Sequence, residues 1–262
     1  MGGNKPLEGR IAIVTGASRG IGRAIALRLA QDGATLVLAS RTAADLDKVA
    51  AEIKSNGGRA TCAPGDLRDP SAPATVVKTA LDAHGAIDIV VNNAGATRRG
   101  DFFELTDADW VDGFALKLMG AVRLTRAAWP HLKARHGSVL NIIGAGGRTP
   151  SAEFTIGGSV NGACLSFTKA VADLGIRDGV QVNAINPGRI QTERFRKILE
   201  AEVADYGGDR NAALEAIARK TNIVRLGEPE DVANLAAFMV SPQSRYMQGA
   251  SIDLDGGQTK TI

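Results

Sequence analysis

Short, nearly continuous apolar runs recur along the chain at Ile11–Thr15, Thr35–Ala39, Ala60–Ala63, Ile87–Val91, Val139–Ile143, Val180–Ile185 and Ser251–Leu254. Their length and β-branched content read as strands, and the segments starting at Ile21, Ala43, Ala72, Ala108 and Gly158 carry helical spacing instead. Strand and helix alternate throughout. That rhythm predicts an α/β fold: a doubly wound parallel sheet of about seven strands, with helices on both faces to bury strands apolar on both sides. With 262 residues the whole chain, 1–262, is expected to form a single domain. The rhythm breaks once, at Gln191–Glu228, a long charged stretch carrying Tyr206-Gly207-Gly208. It follows a strand end, where ligands bind in open α/β sheets, so residues 191–228 are predicted to be a lid-like insertion over a substrate.

Composition narrows the function classes. The calculated pI near 9.0 rests on a formal net charge of only +3, with Lys and Arg scattered among almost as many Asp and Glu. No basic stripe interleaved with aromatic residues is present, which argues against a nucleic-acid partner. Cys62 and Cys164 stand far apart and the three histidines have no ligand spacing, so no metal is expected and the thiols read as reduced. Met1–Arg10 lacks the pattern of a secretory leader and no apolar stretch reaches membrane-spanning length; the expectation is a cytoplasmic protein with no membrane partner.

The first strand runs into Thr15-Gly16-Ala17-Ser18-Arg19-Gly20-Ile21-Gly22, which opens a helix. Glycines at 16, 20 and 22 let the backbone turn sharply and approach a pyrophosphate, and the helix start offers free N–H groups and the positive end of its dipole. The second strand ends in Ser40-Arg41, where an NAD site would carry an acid for the ribose 2′-hydroxyl; the nearest acid, Asp45, already lies in the next helix. Arg19, Ser40 and Arg41 suit a 2′-phosphate, so NADP(H) is favoured over NAD(H). The alternative is that both arginines are solvated surface residues.

These residues, with Asp66-Leu67, Asn92-Asn93-Ala94-Gly95, Pro187-Gly188 followed by Thr192, and Asp255-Gly256-Gly257, resemble the short-chain dehydrogenase/reductase family, including its 3-oxoacyl-acyl-carrier-protein reductase-like members. The resemblance covers essentially the whole chain. It implies a Rossmann fold, an NAD(P) cofactor, a small carbonyl or alcohol substrate, and a homo-oligomer, often a tetramer. It also implies cofactor contacts from Gly16, Ser18, Arg19, Gly20, Ile21, Gly22, Leu67, Asn93, Ala94, Gly95, Pro187, Gly188 and Ile190, with Asp66 at the adenine, Asn92 steadying the strand end, and Thr192 at the carboxamide.

The family usually supplies a Ser, a Tyr, a Lys four residues later, and an Asn, because hydride addition puts negative charge on an oxygen that must be protonated or hydrogen-bonded. Here the matching positions hold Gly144, Gly157, Asn161 and Lys117. Asn and Lys thus read as exchanged between two helices. At ~100° per residue Lys117 falls roughly 130° from the charged face of its helix, among Trp110, Phe114, Ala121 and Leu124. A lysine there either finds a buried partner and serves as acid or base, or reaches the surface with its head. Tyr206, in the presumed lid, is a further candidate proton donor. Glu153, Thr155 and Ser159 are weaker ones, better suited to loop and helix-start hydrogen bonds. Two readings stay open: an NADP-dependent oxidoreductase with a non-standard proton donor, or an NADP-binding sensor or assembly partner that is not a dehydrogenase. A cofactor-free lyase on this scaffold ranks below both.

Overall fold

The computed structural model describes residues 5–193, 195, 199–200, 203–204 and 206–260. Seven parallel strands form one sheet in the order β3-β2-β1-β4-β5-β6-β7: β1 Ile11–Thr15, β2 Thr35–Ser40, β3 Arg59–Pro64, β4 Ile89–Asn92, β5 Ser138–Ile142, β6 Gln181–Pro187 and β7 Ser251–Leu254. Successive residues of a strand face opposite ways, so each strand feeds two cores. Val14, Leu36 and Leu38 pack with Ile25 and Leu29 of helix α1 (Gly20–Gln31), Leu46 and Ile53 of α2 (Ala43–Ser55), and Val232 and Ala236 further along. Ile13, Val37 and Val139 turn the other way, onto Val76 and Val77 of α3 (Ala72–His84) and Leu124 and Leu132 beyond it. This is the single-domain, doubly wound architecture expected from the alternating pattern.

Strands β2 to β6 differ from the expectation by one or two residues at one or both ends. Ile87 and Asp88 precede β4 rather than belong to it, because the Asp88 carboxylate, fully enclosed, accepts from Arg10, Arg135 and the Ile11 backbone N–H. On the far side of the sheet, α4 (Asp107–Phe114) begins at a capping box in which Thr106 and Asp109 satisfy each other's backbone N–H groups. It does not continue as an α-helix. Residues Ala115–Met119 form a π turn before α5 (Gly120–Ala134) resumes, so the uniform 100° spacing used to place Lys117 does not hold across this segment. Helix α6 runs Thr155–Asp178, three residues earlier than its apolar spacing indicates.

Beyond β6 the chain makes an isolated parallel bridge, Ile190 to Gly227, on either side of the predicted lid. Within that stretch α7 (Arg210–Thr221) packs Ala213 and Ile217 against Phe195, Leu199 and Leu226, a small core of its own. Residues 194, 196–198, 201, 202 and 205 of the presumed lid lie outside the described residues. Helix α8 (Pro229–Met239) then returns to the sheet against α1. Among the described residues no helix is long and apolar enough to cross a membrane, and no cluster of His, Cys, Asp or Glu is arranged to hold a metal.

Candidate active site

The loops at the carboxyl ends of β1, β4, β5 and β6 meet at one edge of the sheet, and the sequence-singled residues gather there. Gly16 and Gly20 have φ of +63° and +54°, the left-handed region that favours glycine. Gly22 is required by proximity: a Cβ on it would stand 2.2 Å from the Gly16 carbonyl oxygen. The loop is fastened from β4. Thr15 Oγ1 accepts from the backbone N–H groups of Asn93 (2.9 Å) and Ala94 (3.0 Å), and the Asn93 side chain donates to the Thr15 carbonyl at 3.0 Å. Asn93 therefore braces the glycine loop with its side chain. Asn92 is buried and donates to Thr125 Oγ1 and Asn141 Oδ1, tying β4 to α5 and β5.

The donor set around this loop fits a phosphorylated dinucleotide. Among the described residues Ser40 Oγ, buried at the end of β2 beside the exposed Arg41, has no hydrogen-bond partner. Arg19 precedes α1 with its side chain 71% exposed, 3.5 Å from Glu193. Ser18 and Ile21 are half-buried in the same loop. Asp66 accepts from the Arg68 backbone N–H at 3.0 Å, and Leu67 is buried under Gly120. Across the loop, a methyl of Thr192 comes within 3.3 Å of where a Gly20 Cβ would be, and a cavity of ≈ 280 Å³ opens between Gly20, Arg23, Thr192 and Arg210. Gly188, after Pro187, leaves no room for a side chain either, since its Cβ would meet Asp255 Cβ at 2.6 Å. The Asp255-Gly256-Gly257 motif is thus the wall that the chain after β6 leans on.

Lys117 and Asn161 are brought together. Lys117 Nζ donates to Asn161 Oδ1 at 2.6 Å and to the Ile143 carbonyl. An ammonium group only donates, so this contact fixes the Asn161 amide with its oxygen toward Lys117 and its nitrogen the other way. That nitrogen has no hydrogen-bond partner among the described residues; it faces the gap over Gly144 and Gly146, whose Cβ positions lie 3.1 and 3.6 Å from it. Asn161 is 3% exposed, whereas Lys117 is half-buried. The charge of Lys117 is felt nearby: burial pushes the Cys164 thiol pKa up, and Lys117 draws it partly back. Gly95 leaves room for the lysine stem, its Cβ position being 3.0 Å from Lys117 Cδ.

The remaining candidates stay apart from this pair. Tyr206 is 44% exposed in a turn before α7, with no described contact to Lys117 or Asn161. Glu153 and Ser159 are exposed, and Thr155 Oγ1 is buried without a partner among the described residues, so it does not cap the helix it begins. Two features escaped the sequence reading. One is the room that Gly95, singled out only as a cofactor contact, leaves for Lys117; the other is Phe154, whose ring fills the space above Gly157.

A family model described as enoyl-(acyl carrier protein) reductase matches residues 16–259. The chain belongs to the short-chain dehydrogenase/reductase family. Among curated short-chain relatives, an uncharacterized oxidoreductase, MT0954, of Mycobacterium tuberculosis (strain CDC 1551 / Oshkosh) is 37% identical over 97% of this chain and 93% of its own. The 3-oxoacyl-[acyl-carrier-protein] reductase FabG of Pseudomonas aeruginosa is 33% identical over 96% of this chain and 98% of its own. Among solved structures, L-sorbose reductase from Gluconobacter frateurii, complexed with NADPH and L-sorbose, superposes with a TM-score of 0.93 at 33% identity, covering 99% of this chain and all of the other. A short-chain dehydrogenase from Burkholderia cenocepacia in complex with NADP gives 0.85 at 31% identity, covering 97% and 99%.

Proposed function

We propose that this short-chain oxidoreductase uses NADP(H) to interconvert a small carbonyl compound and its alcohol, with Lys117 and Asn161 in place of the usual tyrosine-centred set. The cofactor supplies a hydride to the carbonyl carbon when bound. The observation that carries the reading is the 2.6 Å Lys117–Asn161 hydrogen bond, which turns the Asn161 amide N–H groups into a glycine-lined gap. As negative charge grows on the substrate oxygen, those N–H groups donate to it, and the ammonium behind them polarises the amide. Lys117 keeps its proton on the Asn161 oxygen and so holds the amide in its donating orientation, while the proton that the substrate oxygen finally takes comes from solvent. Gly144 leaves the space that a serine would fill, whereas the space over Gly157 is taken by the Phe154 ring.

The glycine loop and the N–H groups opening α1 take the pyrophosphate, while Ser40, Arg41 and Arg19 take the 2′-phosphate. The unpartnered Ser40 hydroxyl and two exposed guanidinium groups support NADP over NAD, as do the NADPH- and NADP-bound neighbours. Leu67, Asn93, Ala94 and Gly95 line the adenosine and ribose side, and Pro187, Gly188, Ile190 and Thr192 the nicotinamide side. Residues 191–228 act as the lid, with the Ile190–Gly227 bridge as its hinge. Large apolar side chains left exposed, among them Ile176 and Phe238, suit a homo-oligomer.

A fluorescence titration with NADPH and NADH, followed by NADPH oxidation against a panel of ketones and sugars, tests this. Wild-type protein is expected to bind NADPH the more tightly. Lys117→Met is expected to keep that affinity and lose roughly a hundredfold or more in turnover, the scale of a lost oxyanion donor. Full turnover in Lys117→Met would overturn the assignment.

A further inference from the structure

Gly157 sits in the first turn of α6, where its φ is not positive and nothing in the backbone calls for glycine. Glycine weakens a helix, so some other contact must account for it. That contact is Phe154. A Cβ on Gly157 would lie 2.0, 2.1 and 2.5 Å from Cζ, Cε2 and Cε1 of the Phe154 ring, and one on Gly146 would lie 3.0 Å from Cδ1 and Cε1. The tip of the ring is thus driven into the space over Gly157 and one edge is laid along Gly146. The Arg99 guanidinium, 3.9 Å from the ring centroid, holds it from another side. The same Gly146 Cβ position is only 3.6 Å from Asn161 Nδ2, which makes the ring and the amide neighbours across one glycine. Asn161 follows Gly157 by one helical turn, on the same face.

We infer that Phe154 is a positioning residue, a hydrophobic cover whose ring is seated by Gly157 and Gly146 and keeps water from the Asn161 side of its hydrogen bond with Lys117. Its catalytic meaning rests on the function proposed above. An amide meant to donate to a growing negative charge is more effective when water does not compete for its N–H groups. Asn161 is 3% exposed although its glycine neighbours contribute no side chains: Phe154 lies across Gly146 from its amide nitrogen, and Leu165 across Gly147 from its Cβ. The ring also accounts for the missing tyrosine at 157, because one position cannot hold both a side chain and the ring tip. Gly157 and Phe154 therefore form a matched pair.

The test reads Lys117 directly, in protein free of cofactor and substrate. Limited acylation of lysines, quantified peptide by peptide, gives the reactivity of Lys117 relative to Lys133 and Lys169. Phe154→Ala should raise it about tenfold through local opening, with the other lysines unchanged. Gly157→Ala should do the same, since its methyl group must push the ring tip aside. The double variant should label no faster than Phe154→Ala alone, the non-additivity of two changes acting through one contact. Phe154→Leu, which refills the space, should return most of the protection. In turnover assays the loss should fall on kcat rather than KM. Unchanged Lys117 labelling in both single variants, additive effects in the double variant, or a rise shared by all lysines would overturn the inference. Because labelling needs neither cofactor nor substrate, a fully active Lys117→Met protein would sink the catalytic reading without touching this result. Unchanged labelling beside an inactive Lys117→Met protein would sink the cover alone.

Discussion

Gly95 and Gly22 matter for what they leave out. A side chain on Gly95 would press on Lys117, its Cβ standing 3.0 Å from Cδ and 3.2 Å from Cγ. Gly95→Val is accordingly expected to displace the lysine and cut turnover at saturating NADPH at least tenfold, on top of whatever affinity its place on the ribose side costs; paired binding and rate measurements separate the two. Gly22→Ala acts in the other compartment, since its Cβ at 2.2 Å from the Gly16 oxygen forces the glycine loop apart. Overpacking of this kind costs ~1–3 kcal/mol. Calorimetry should show a lower Tm, and titration should show weakened NADPH binding. Lys117 and Asn161 were legible in the sequence, because both could be located by counting from motifs of fixed length. The closeness of Gly95 to Lys117 and the place of Phe154 were not. Their contribution is volume excluded or filled between segments distant along the chain, and a one-dimensional pattern carries no sign of it.

Helices α5 and α6 are joined at one carboxylate. Asp178, its side chain 4% exposed, accepts from Arg177, Trp129 and Lys133, and the Arg177 hydrogen bond above all holds its pKa well below the ordinary value of 3.8. The folded-state pKa is depressed, so the stabilisation is fully present above pH 3.8 and fades as pH falls below that value toward the lowered one. Asp178→Asn should therefore lower Tm at neutral pH and flatten the fall of Tm with acid below pH 3.8. Thermal melts across the acid range compare the two slopes. The strands and most helices were readable from apolar spacing because each buries a continuous or periodic stripe. The π turn was not, since a single extra residue shifts the phase while leaving composition untouched. That turn sets the direction of Lys117, so deleting one residue within Ala115–Met119 should restore α-helical phase and rotate the amine away. Such a deletion is expected to abolish turnover while circular dichroism stays near wild type.

Across the whole molecule, seven parallel strands gather their carboxyl ends along one edge, and the order β3-β2-β1-β4-β5-β6-β7 places a topological switch between β1 and β4. Ser40 and Arg41 lie on one side of it; Lys117, Asn161 and the segment after β6 lie on the other. Arg41→Asp is expected to narrow or reverse the proposed preference for NADPH over NADH by roughly ten- to a hundredfold, in line with the ~1.5–3 kcal/mol of a hydrogen bond to a charged group. Competitive titration measures it. Turnover per bound cofactor should hardly move, since the substituted side chain belongs to the far flank of the sheet. Nucleotide choice and proton chemistry then form two separately heritable traits divided by a seam: a lineage can trade one electron currency for another by changing the flank before β4, and leave the reaction it performs intact.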